Sequence, residues 1–410
     1  MNILFLNAYF HPENIAYSHL EHDMIEGLIA AGHEITVVCP VPTRGVAKDT
    51  VQKYRSIKTE ELFGGKVHVI RFWAPQEGRN PIIRAFRYFW CNLREYQIGI
   101  KQKHADVIFA TSTPPTQGYM SGCIGKRLNR PVVYAVQDVF PDSLVTTGLA
   151  TKGSFFWKIG RILENATYKK CQKLIVISNS IAKNLQNKGV PEEKLTIIPN
   201  WVDAQAVCPV PRDQNRLIEE QKLDPTQFIV VYAGNFGAAQ GAHVILEAAK
   251  LLQQEKDIRF VIFAGGPEAN QARKTVEDEK LDNVRINPLL PQDRVPEVYS
   301  LGDVALITCK KGVGNSGMPS KTWNIMACNT PIIASFDTNS ELSTIIETAD
   351  AGICVEPGDA RILANAIREK YELARKEGQL QCGGREYVTK HASKEVCVNS
   401  YRKLIEHAGK

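Results

Sequence analysis

The chain contains cysteine and histidine, but no arrangement of them that suits a metal or a redox pair. None of its ten cysteines forms a C-x-x-C pair, and its nine histidines show no ligand spacing. We therefore expect no bound metal. Several cysteines, such as Cys39, Cys309 and Cys354, lie in apolar segments, which indicates buried, reduced thiols in a cytoplasmic protein.

Long apolar runs are also missing. No run approaches the roughly 18 residues that a membrane span requires. The first residues, MNILFLNAYF, have neither a basic leader nor a cleavage site and predict a β-strand. Signatures of zinc fingers, RNA-recognition motifs and helix-turn-helix domains are absent, so we expect no nucleic-acid partner. The hydrophobic fraction of 44% is typical of a globular protein.

Positive charge is concentrated in the first half of the chain. Residues 1–203 contain 25 Lys and Arg against 17 Asp and Glu, a net charge of +8, whereas the whole chain carries +6. The second half is therefore slightly acidic. We expect the first half to meet an anionic partner, such as a membrane surface or a lipid phosphate.

Short apolar runs alternate with helical patterns in two successive sets. The first set predicts strands at 3–6, 35–39, 67–71, 107–110, 132–136 and 174–177, and the second at 228–232, 260–263, 284–286, 304–307, 332–334 and 353–355. This alternation predicts two α/β domains with doubly wound parallel sheets, joined by a Pro-rich polar linker at 201–214. Ligands of such sheets bind at the carboxyl ends of the strands, so we expect both domains to face a central cleft.

The most informative segment is KGVGNSGMPSKTWNIMACNTPIIAS, residues 311–335. Gly312 and Gly317 permit a sharp turn or the close approach of a ligand. Ser320 occupies the N-cap position of a predicted short helix, with Lys321 in its first turn. Backbone amides and an ammonium group at a helix start suit an anion such as a pyrophosphate. An ordinary strand-to-helix turn with a surface lysine fits the same residues.

A second glycine-rich loop, GNFGAAQG at 234–241, joins a predicted strand to a predicted helix. Its spacing, G-x-x-G-x-x-x-G, differs from the dinucleotide-binding fingerprint, and it lacks the lysine of a P-loop. By itself, the loop indicates either a phosphate cradle or a tight turn.

The segment at 311–335 also carries a family resemblance. Its part GMPSKTWNIMACNTPIIAS resembles the donor-binding signature of retaining glycosyltransferases of family 4, which have the GT-B fold. Other matching pieces follow in order along nearly the whole chain, including YAVQDVFPDSLVTTG, IPNWVD, VVYAGNFGAAQG and VEPGD. The sequence is most similar to the bacterial branch that builds O-antigen and capsule, which includes the L-fucosamine (N-acetylfucosamine) transferases.

The resemblance implies the fold, the domains and the reaction. Residues 1–203 would form an acceptor-binding Rossmann-like domain, residues 204–393 a nucleotide-sugar-binding one, and residues 394–410 a helix that crosses back to the first domain. The implied enzyme transfers an N-acetylated amino or deoxyamino sugar from a nucleoside diphosphate, expected to be UDP, to a saccharide linked to undecaprenyl diphosphate. It would retain the anomeric configuration and work at the inner face of the cell membrane.

The resemblance also assigns residues to the donor site. They lie in the two glycine-rich loops, at the helix start and at strand ends: Gly234, Asn235, Phe236, Gly237, Gln240, Gly265, Asn287, Leu289, Ser316, Gly317, Met318, Pro319, Ser320 and Asn324. Asn235 and Gln240 stand where family members often have Arg and Lys. Ser316 and Asn324 replace the two glutamates of the Glu-x7-Glu signature. Lys321 therefore becomes the main candidate for neutralising the leaving diphosphate.

Asp138 is the second candidate for a catalytic role. It follows the predicted strand VVYAV, where it fits a helix cap and, by the resemblance, an acidic group beside the reacting sugar. In the implied front-face mechanism the leaving phosphate takes the acceptor proton, so a separate base is not required. No D-x-D pair occurs in the chain, so we expect neither a metal clamp on the diphosphate nor a cofactor.

The loop after the first predicted strand, YFHPENI, supplies candidates for acceptor binding. By position it faces the predicted cleft, and His11, Glu13 and Asn14 are its candidate ligands. His11 and Glu13 are also candidates for proton transfer. Ordinary surface positions are the alternative for both side chains.

The segment 80–101 predicts an amphipathic helix. Arg84, Arg87 and Arg94 are expected on one side, beside an aromatic face that contains Trp90. Such a helix suits peripheral contact with an anionic bilayer. A helix packed on its own sheet, with solvated arginines, is the alternative.

Two other functions remain open on sequence grounds. A GT-B-fold nucleotide-sugar epimerase would share the donor pocket but need no acceptor. A non-catalytic protein that binds sugar nucleotides would explain the charges missing at Asn235, Gln240 and Asn324.

Overall fold

The computed structural model describes residues 1–13, 17–76, 81–146, 151–237, 239–314 and 317–410. The chain divides into two compact units. Unit 1 contains Met1–Pro199 and Cys397–Lys410, and unit 2 contains Asn200–Val396.

Unit 1 is built on an eight-stranded sheet. Its strands are β1 (Asn2–Leu6), β2 (Glu34–Pro40), β3 (Thr59–Leu62), β4 (Val67–Phe72), β5 (Val107–Thr111), β6 (Val132–Val136), β7 (Lys173–Val176) and β8 (Leu195–Ile197). Their order is β3-β4-β2-β1-β5-β6-β7-β8. β3 pairs antiparallel with β4, whereas the other neighbours pair in parallel. The central strands are apolar and buried on both faces because helices cover both sides of the sheet.

The helices of unit 1 connect these parallel strands. They are α1 (Ser18–Ala30), α2 (Lys48–Tyr54), α3 (Pro81–Gly99), α4 (Gln117–Leu128), α5 (Asp142–Thr146), α6 (Phe155–Lys170) and α7 (Asn179–Asn187). Ser154 caps α6 by accepting the backbone N–H of Trp157 at 3.3 Å, and Ser178 caps α7 in the same way. These caps satisfy amides that the helices themselves leave unpaired.

Unit 2 repeats this architecture with a six-stranded parallel sheet. Its strands are β9 (Phe228–Asn235), β10 (Ile258–Gly265), β11 (Val284–Asn287), β12 (Val304–Thr308), β13 (Ile332–Ser335) and β14 (Gly352–Val355), in the order β11-β10-β9-β12-β13-β14. Its helices are α8 (Leu217–Glu220), α9 (His243–Leu251), α10 (Ala269–Asp278), α11 (Val295–Ser300), α12 (Lys321–Ala327), α13 (Glu341–Thr348), α14 (Ala360–Glu377) and α15 (Gly384–His391). Apolar clusters fill both faces of this sheet.

A last helix, α16 (Lys394–Gly409), begins in unit 2 and continues in unit 1. Within unit 1, Val398 packs so closely on α1 that a Cβ at Gly27 would lie 2.2 Å from its Cγ1. Glu406 contacts the ring of His33 at 3.0 Å. These contacts hold the end of the chain against the first strands and helices.

The predicted fold class is confirmed, because each unit is an α/β domain whose sheet is parallel in unit 2 and parallel except for β3 in unit 1. The segment 201–214 differs from the predicted linker. Trp201 and Val202 are buried in unit 2, where Val202 bridges to Ser393, because their apolar side chains pack into the core although the neighbouring residues are polar.

Candidate functional site

A cavity of about 560 Å³ opens in unit 2 at the carboxyl ends of the sheet. It is lined by the end of β9, the end of β12, the segment after β11 and the start of α12. Its volume lies in the range of sites that bind small molecules. Parallel sheets of this kind bind ligands at this edge.

The lining of the cavity contains most of the predicted donor-site residues. Those that line it are Gly234, Asn235, Gln240, Leu289, Gly317, Met318, Pro319, Ser320, Lys321 and Asn324. Residues far apart in the sequence therefore meet at one place, as the two glycine-rich loops predict. Ser316 lies outside the described residues.

Four predicted donor-site residues do not line this cavity. The ring of Phe236 is buried edge-to-face on Tyr232, with 5.2 Å between the ring centroids. Gly237 stands behind Asn235 and Gln240, since a Cβ there would lie 2.9 Å from the Gln240 side-chain oxygen. Gly265 supports the loop through its carbonyl, which accepts the N–H of Phe236 at 2.7 Å. Asn287 ends β11 as a half-buried residue whose Nδ2 is buried.

Lys321 provides the positive charge of the cavity. Its side chain extends over the ring of Tyr232, with 3.9 Å between Nζ and the ring centroid. Burial lowers the pKa of this lysine to about 7, because the surrounding groups replace water poorly. Among the described residues that line the cavity, no Arg, Asp, Glu or His accompanies it. An anionic ligand would supply the missing counter-charge.

Gly234 makes room for this lysine. Its φ angle is +148°, and a Cβ there would lie 2.6 Å from Nζ of Lys321. A larger residue would therefore displace the ammonium group as well as strain the backbone. This contact is the structural reason for glycine at the end of β9.

The start of α12 differs in one detail from the prediction. Ser320 precedes the first helical residue, but it has helical backbone angles and its side chain caps no amide. An N-cap needs an extended backbone to turn its oxygen toward the free amides. Ser320 instead lines the cavity with its neighbours.

Further lining residues of the cavity are apolar or aromatic and were not predicted from the sequence. They are Phe263, Leu290, Pro291, Val295, Val298, Tyr299, Ile307 and Phe336. These residues follow the pattern of an ordinary core, so the sequence carries no signal that separates them from it. They offer a surface on which a planar or apolar part of a ligand can pack.

Asp337 was also missed. Its Oδ1 accepts the N–H of Gly312 at 2.9 Å and its Oδ2 accepts the N–H of Gly314 at 2.7 Å. Both glycines belong to the loop between β12 and α12, and Val313 between them lines the cavity. Asp337 therefore holds in place one edge of the site.

A second, smaller cavity of about 290 Å³ lies in unit 1. It is lined by Phe10, His11, Glu13, Ser18, Glu21, His22, Ile25, Leu62 and Phe63. It thus contains two of the three predicted acceptor residues, His11 and Glu13. Asn14, the third, lies outside the described residues.

Glu13 stabilises two loops beside this cavity. Its buried carboxylate accepts the backbone N–H groups of Thr43 at 2.7 Å and Arg44 at 2.8 Å, so it joins the loops after β1 and β2. Burial raises its pKa, and these hydrogen bonds oppose that shift. Burial also lowers the pKa of His11. The neighbouring Glu21 has its pKa raised by burial to about 8.

Asp138 lies in the turn after β6, and its side chain is exposed. Helix α5 begins at Asp142, so Pro141 occupies the N-cap position and the cap predicted for Asp138 is wrong. The turn itself is held by Ser112, whose Oγ accepts the N–H groups of Gln137 at 3.0 Å and Asp138 at 3.2 Å.

Helix α3 corrects the predicted arginine face. Arg84 is exposed, but Arg87 is buried and its guanidinium donates to the carbonyl of Pro75. Arg94 is half-buried, and so is Trp90, whose Nε1 donates to the Trp73 carbonyl at 2.8 Å. Arg87 points inward because it shares a helix face with the buried Cys91 and Glu95, at intervals of four residues.

The described residues contain no group of three His, Cys, Asp or Glu side chains that could hold a metal ion. Within the same residues, no helix combines the length and the apolar character needed to span a bilayer.

Two family matches cover most of the chain. Residues 21–206 match the family described as Glycosyltransferase Family 4, and residues 213–386 match Glycosyl transferases group 1. The first match falls in unit 1 and extends a few residues past it, and the second falls in unit 2.

Individual proteins agree with these matches. The chain is 26% identical to the putative colanic acid biosynthesis glycosyl transferase WcaI of Escherichia coli, over 98% of both chains. It is 27% identical to the probable glycosyltransferase WbjE of Pseudomonas aeruginosa, over 74% of this chain and 76% of that one. Its fold is similar to HepE of Anabaena, solved with UDP, with a TM-score of 0.70, 16% identity and coverage of 99% and 100%.

Proposed function

We propose that this chain, whose residues 21–206 match Glycosyltransferase Family 4 and whose residues 213–386 match Glycosyl transferases group 1, transfers a sugar from UDP to a lipid-linked saccharide during synthesis of a bacterial surface polysaccharide. The sugar is an N-acetylated amino or deoxyamino sugar, and the acceptor is carried on undecaprenyl diphosphate. Full-length similarity to a putative colanic acid glycosyl transferase supports the pathway class. Similarity of the signature at 317–335 to L-fucosamine transferases supports the sugar class.

The observation that carries this proposal is the position of Lys321. A single ammonium group stands in a cavity whose described lining combines polar side chains with apolar and aromatic ones. A nucleoside diphosphate has the matching parts, because its diphosphate is anionic and its base is planar. In this assignment Lys321 binds the diphosphate, Asn324 bonds the ribose, and the apolar lining contacts the base.

The proposed reaction retains the anomeric configuration. The acceptor hydroxyl attacks the face from which UDP departs, and an oxygen of the departing phosphate takes the hydroxyl proton. Lys321 stabilises the negative charge that develops on that phosphate. Asp138 stays a candidate for contact with the reacting sugar, and His11, Glu13 and Asn14 stay candidates for the acceptor. No metal takes part in this scheme.

The acceptor places the enzyme at a membrane. We assign peripheral contact to α3 through the exposed Arg84 and the half-buried Arg94 and Trp90, at the cytoplasmic face. Arg87 is excluded from this contact by its burial.

The test is a transfer assay with the purified full chain, a panel of UDP- and other nucleotide sugars, and a short-chain lipid diphosphate saccharide. We expect one donor to extend the acceptor, as mass spectrometry would detect. NMR of the new linkage should show the same anomeric configuration as the donor. Binding without turnover on any acceptor would favour a non-catalytic protein, and isomerisation of the donor without an acceptor would favour an epimerase. A Lys321→Met variant is the control for the site.

A further inference from the structure

Helix α6 exposes an apolar stripe that has no role in the function proposed above. Phe155 and Phe156 are 72% and 76% exposed, and Ile162 is 69% exposed. Ile159, between them, is also exposed. Their spacing places them on one side of the helix, and the opposite side packs on unit 1 through the buried Gly160, Glu164 and Thr167.

A similar stripe lies on α3. Phe89 is 67% exposed, and Ile83, Phe86 and Leu93 are exposed as well. Large apolar side chains that stand singly on a surface are ordinary, whereas stripes of them on two helices mark a candidate interaction surface.

Both helices pack on α4, so the stripes belong to one face of unit 1. Gln117 at the start of α4 donates to Glu95 of α3 at 2.8 Å. On the other side, glycines let α6 come close, since a Cβ at Gly118 would lie 2.4 Å from Thr167 and one at Gly122 would lie 2.5 Å from Lys170.

Among the described residues of α3 and α6, the exposed charges are positive. Each of the two helices contains one acidic residue, Glu95 in α3 and Glu164 in α6, and both are buried. The exposed charges on and next to them are basic, among them Arg84, Lys152 and Lys158. An extended apolar surface with basic residues at its border matches the headgroup layer of an anionic bilayer.

We propose that α3 and α6 together form a two-helix platform that inserts into an anionic membrane, with Phe155 and Phe156 as the deepest side chains. This deepens the proposed function, which requires a lipid-linked acceptor, and it adds α6 to the contact assigned to α3. A second copy of the chain suits the face less well, because two identical basic surfaces repel each other.

The test is flotation of the full chain with vesicles of phosphatidylglycerol and phosphatidylcholine, compared with phosphatidylcholine alone. We expect wild-type protein to float with the mixed vesicles. The Phe155→Ser/Phe156→Ser variant keeps every basic residue and all of α3. Its partition coefficient should nevertheless fall by about tenfold or more, because it lacks the two phenyl groups that the bilayer would bury. Leu251→Ser/Ile362→Ser, which removes two exposed apolar side chains of unit 2, is the matched control and should float like wild type.

Three results would overturn the platform. The first is wild-type protein that does not float with the mixed vesicles. The second is a Phe155/Phe156 variant that floats as well as the control, and the third is a dimer, measured by light scattering, that the same variant converts to monomers. Transfer to a water-soluble acceptor distinguishes this proposal from the proposed function. Absence of transfer beside normal flotation would reject only the function, whereas normal transfer beside absent flotation would reject only the platform.

Discussion

Lys321 lies over the aromatic face of Tyr232, with its Nζ 3.9 Å from the ring centroid. The ring attracts the ammonium group, but the buried position opposes its charge and lowers its pKa to about 7. At neutral pH the empty site therefore holds a lysine that is charged in only part of the molecules. A diphosphate beside it would favour the charged form.

Replacement of Lys321 by alanine should reduce the rate of transfer by about a hundredfold or more, because the site loses the ammonium group that stabilises the leaving diphosphate. The thermal unfolding temperature should change little, because the lowered pKa of Lys321 means that the folded protein disfavours its charged form on balance. The rate is measured with saturating donor, and unfolding by circular dichroism.

Lys311→Ala is the matched control for that variant. Lys311 lies nearby in the sequence, but its side chain is exposed and pairs with Glu356 at 3.5 Å. Its removal should leave the rate close to that of wild type. Equal losses in both variants would show that the assignment of Lys321 is wrong.

Donor binding should depend on pH through the same lysine. Its pKa is about 7 in the free enzyme and rises when the diphosphate binds, so the complex holds more protons than the free protein above pH 7. Affinity should therefore be constant below about pH 7 and weaken as the pH rises above it. Calorimetry with a UDP-sugar at pH 8, in two buffers of different ionisation enthalpy, should detect proton uptake.

The variant Lys321→Met separates this effect from other titrating groups. It should bind the UDP-sugar more weakly at pH 7, and its affinity should no longer change between pH 7 and 9. A wild-type affinity that is constant over this interval, without proton uptake, would contradict the assigned role.

The sequence predicts the sheets well because their strands are short apolar runs between helical patterns. All twelve predicted strands correspond to strands of the structure. β3 and β8 were missed for a physical reason. Thr59–Leu62 is mostly polar and pairs at the sheet edge, and Leu195–Ile197 has three residues only. Both strands lie at an edge of the sheet of unit 1, and neither offers an apolar run long enough to be distinguished from a loop.

The candidate site is predictable where backbone geometry dictates the residue. Gly234 had to be glycine because Lys321 occupies the space of a Cβ, and such loops are visible in the sequence. Tyr299 and Phe336 line the cavity but have the pattern of core residues. For Arg87 the prediction was wrong in the other direction. A charged residue in an amphipathic helix is expected on the solvent-exposed face, but tertiary packing buries Arg87.

Burial of Arg87 leads to a prediction about folding. Arg87→Glu should lower the free energy of unfolding by about 3–5 kcal/mol, because it places an unpaired carboxylate in a buried position. It also removes the positive charge of Arg87, which favours the ionised form of Glu13. Arg84→Glu, on the exposed side of the same helix, should change that free energy by about 0.5 kcal/mol or less. Urea unfolding measures both, and similar values for the two variants would contradict the inward position of Arg87.

Activity should not require a divalent metal. The chain has no D-x-D pair, and the proposed charge stabilisation relies on Lys321 and backbone amides. Enzyme treated with EDTA and assayed in metal-free buffer should keep its full rate. A loss that Mg²⁺ or Mn²⁺ restores would show that the diphosphate needs a metal ion in addition to Lys321.

Asp337 should control donor affinity although it does not line the cavity. Its two carboxylate oxygens hold the N–H groups of Gly312 and Gly314, and asparagine keeps the size but turns an NH₂ group toward one of these amides. One hydrogen bond to a charged acceptor is worth about 1.5–3 kcal/mol. If part of that energy positions the loop, Asp337→Asn should raise the KM for the donor by about tenfold and change kcat less.

Asp359→Asn is the control for this variant. Asp359 caps α14 by accepting the N–H of Arg361 at 2.8 Å, and asparagine is an equally good cap. Unchanged KM in Asp337→Asn would show that the loop keeps its position without the carboxylate.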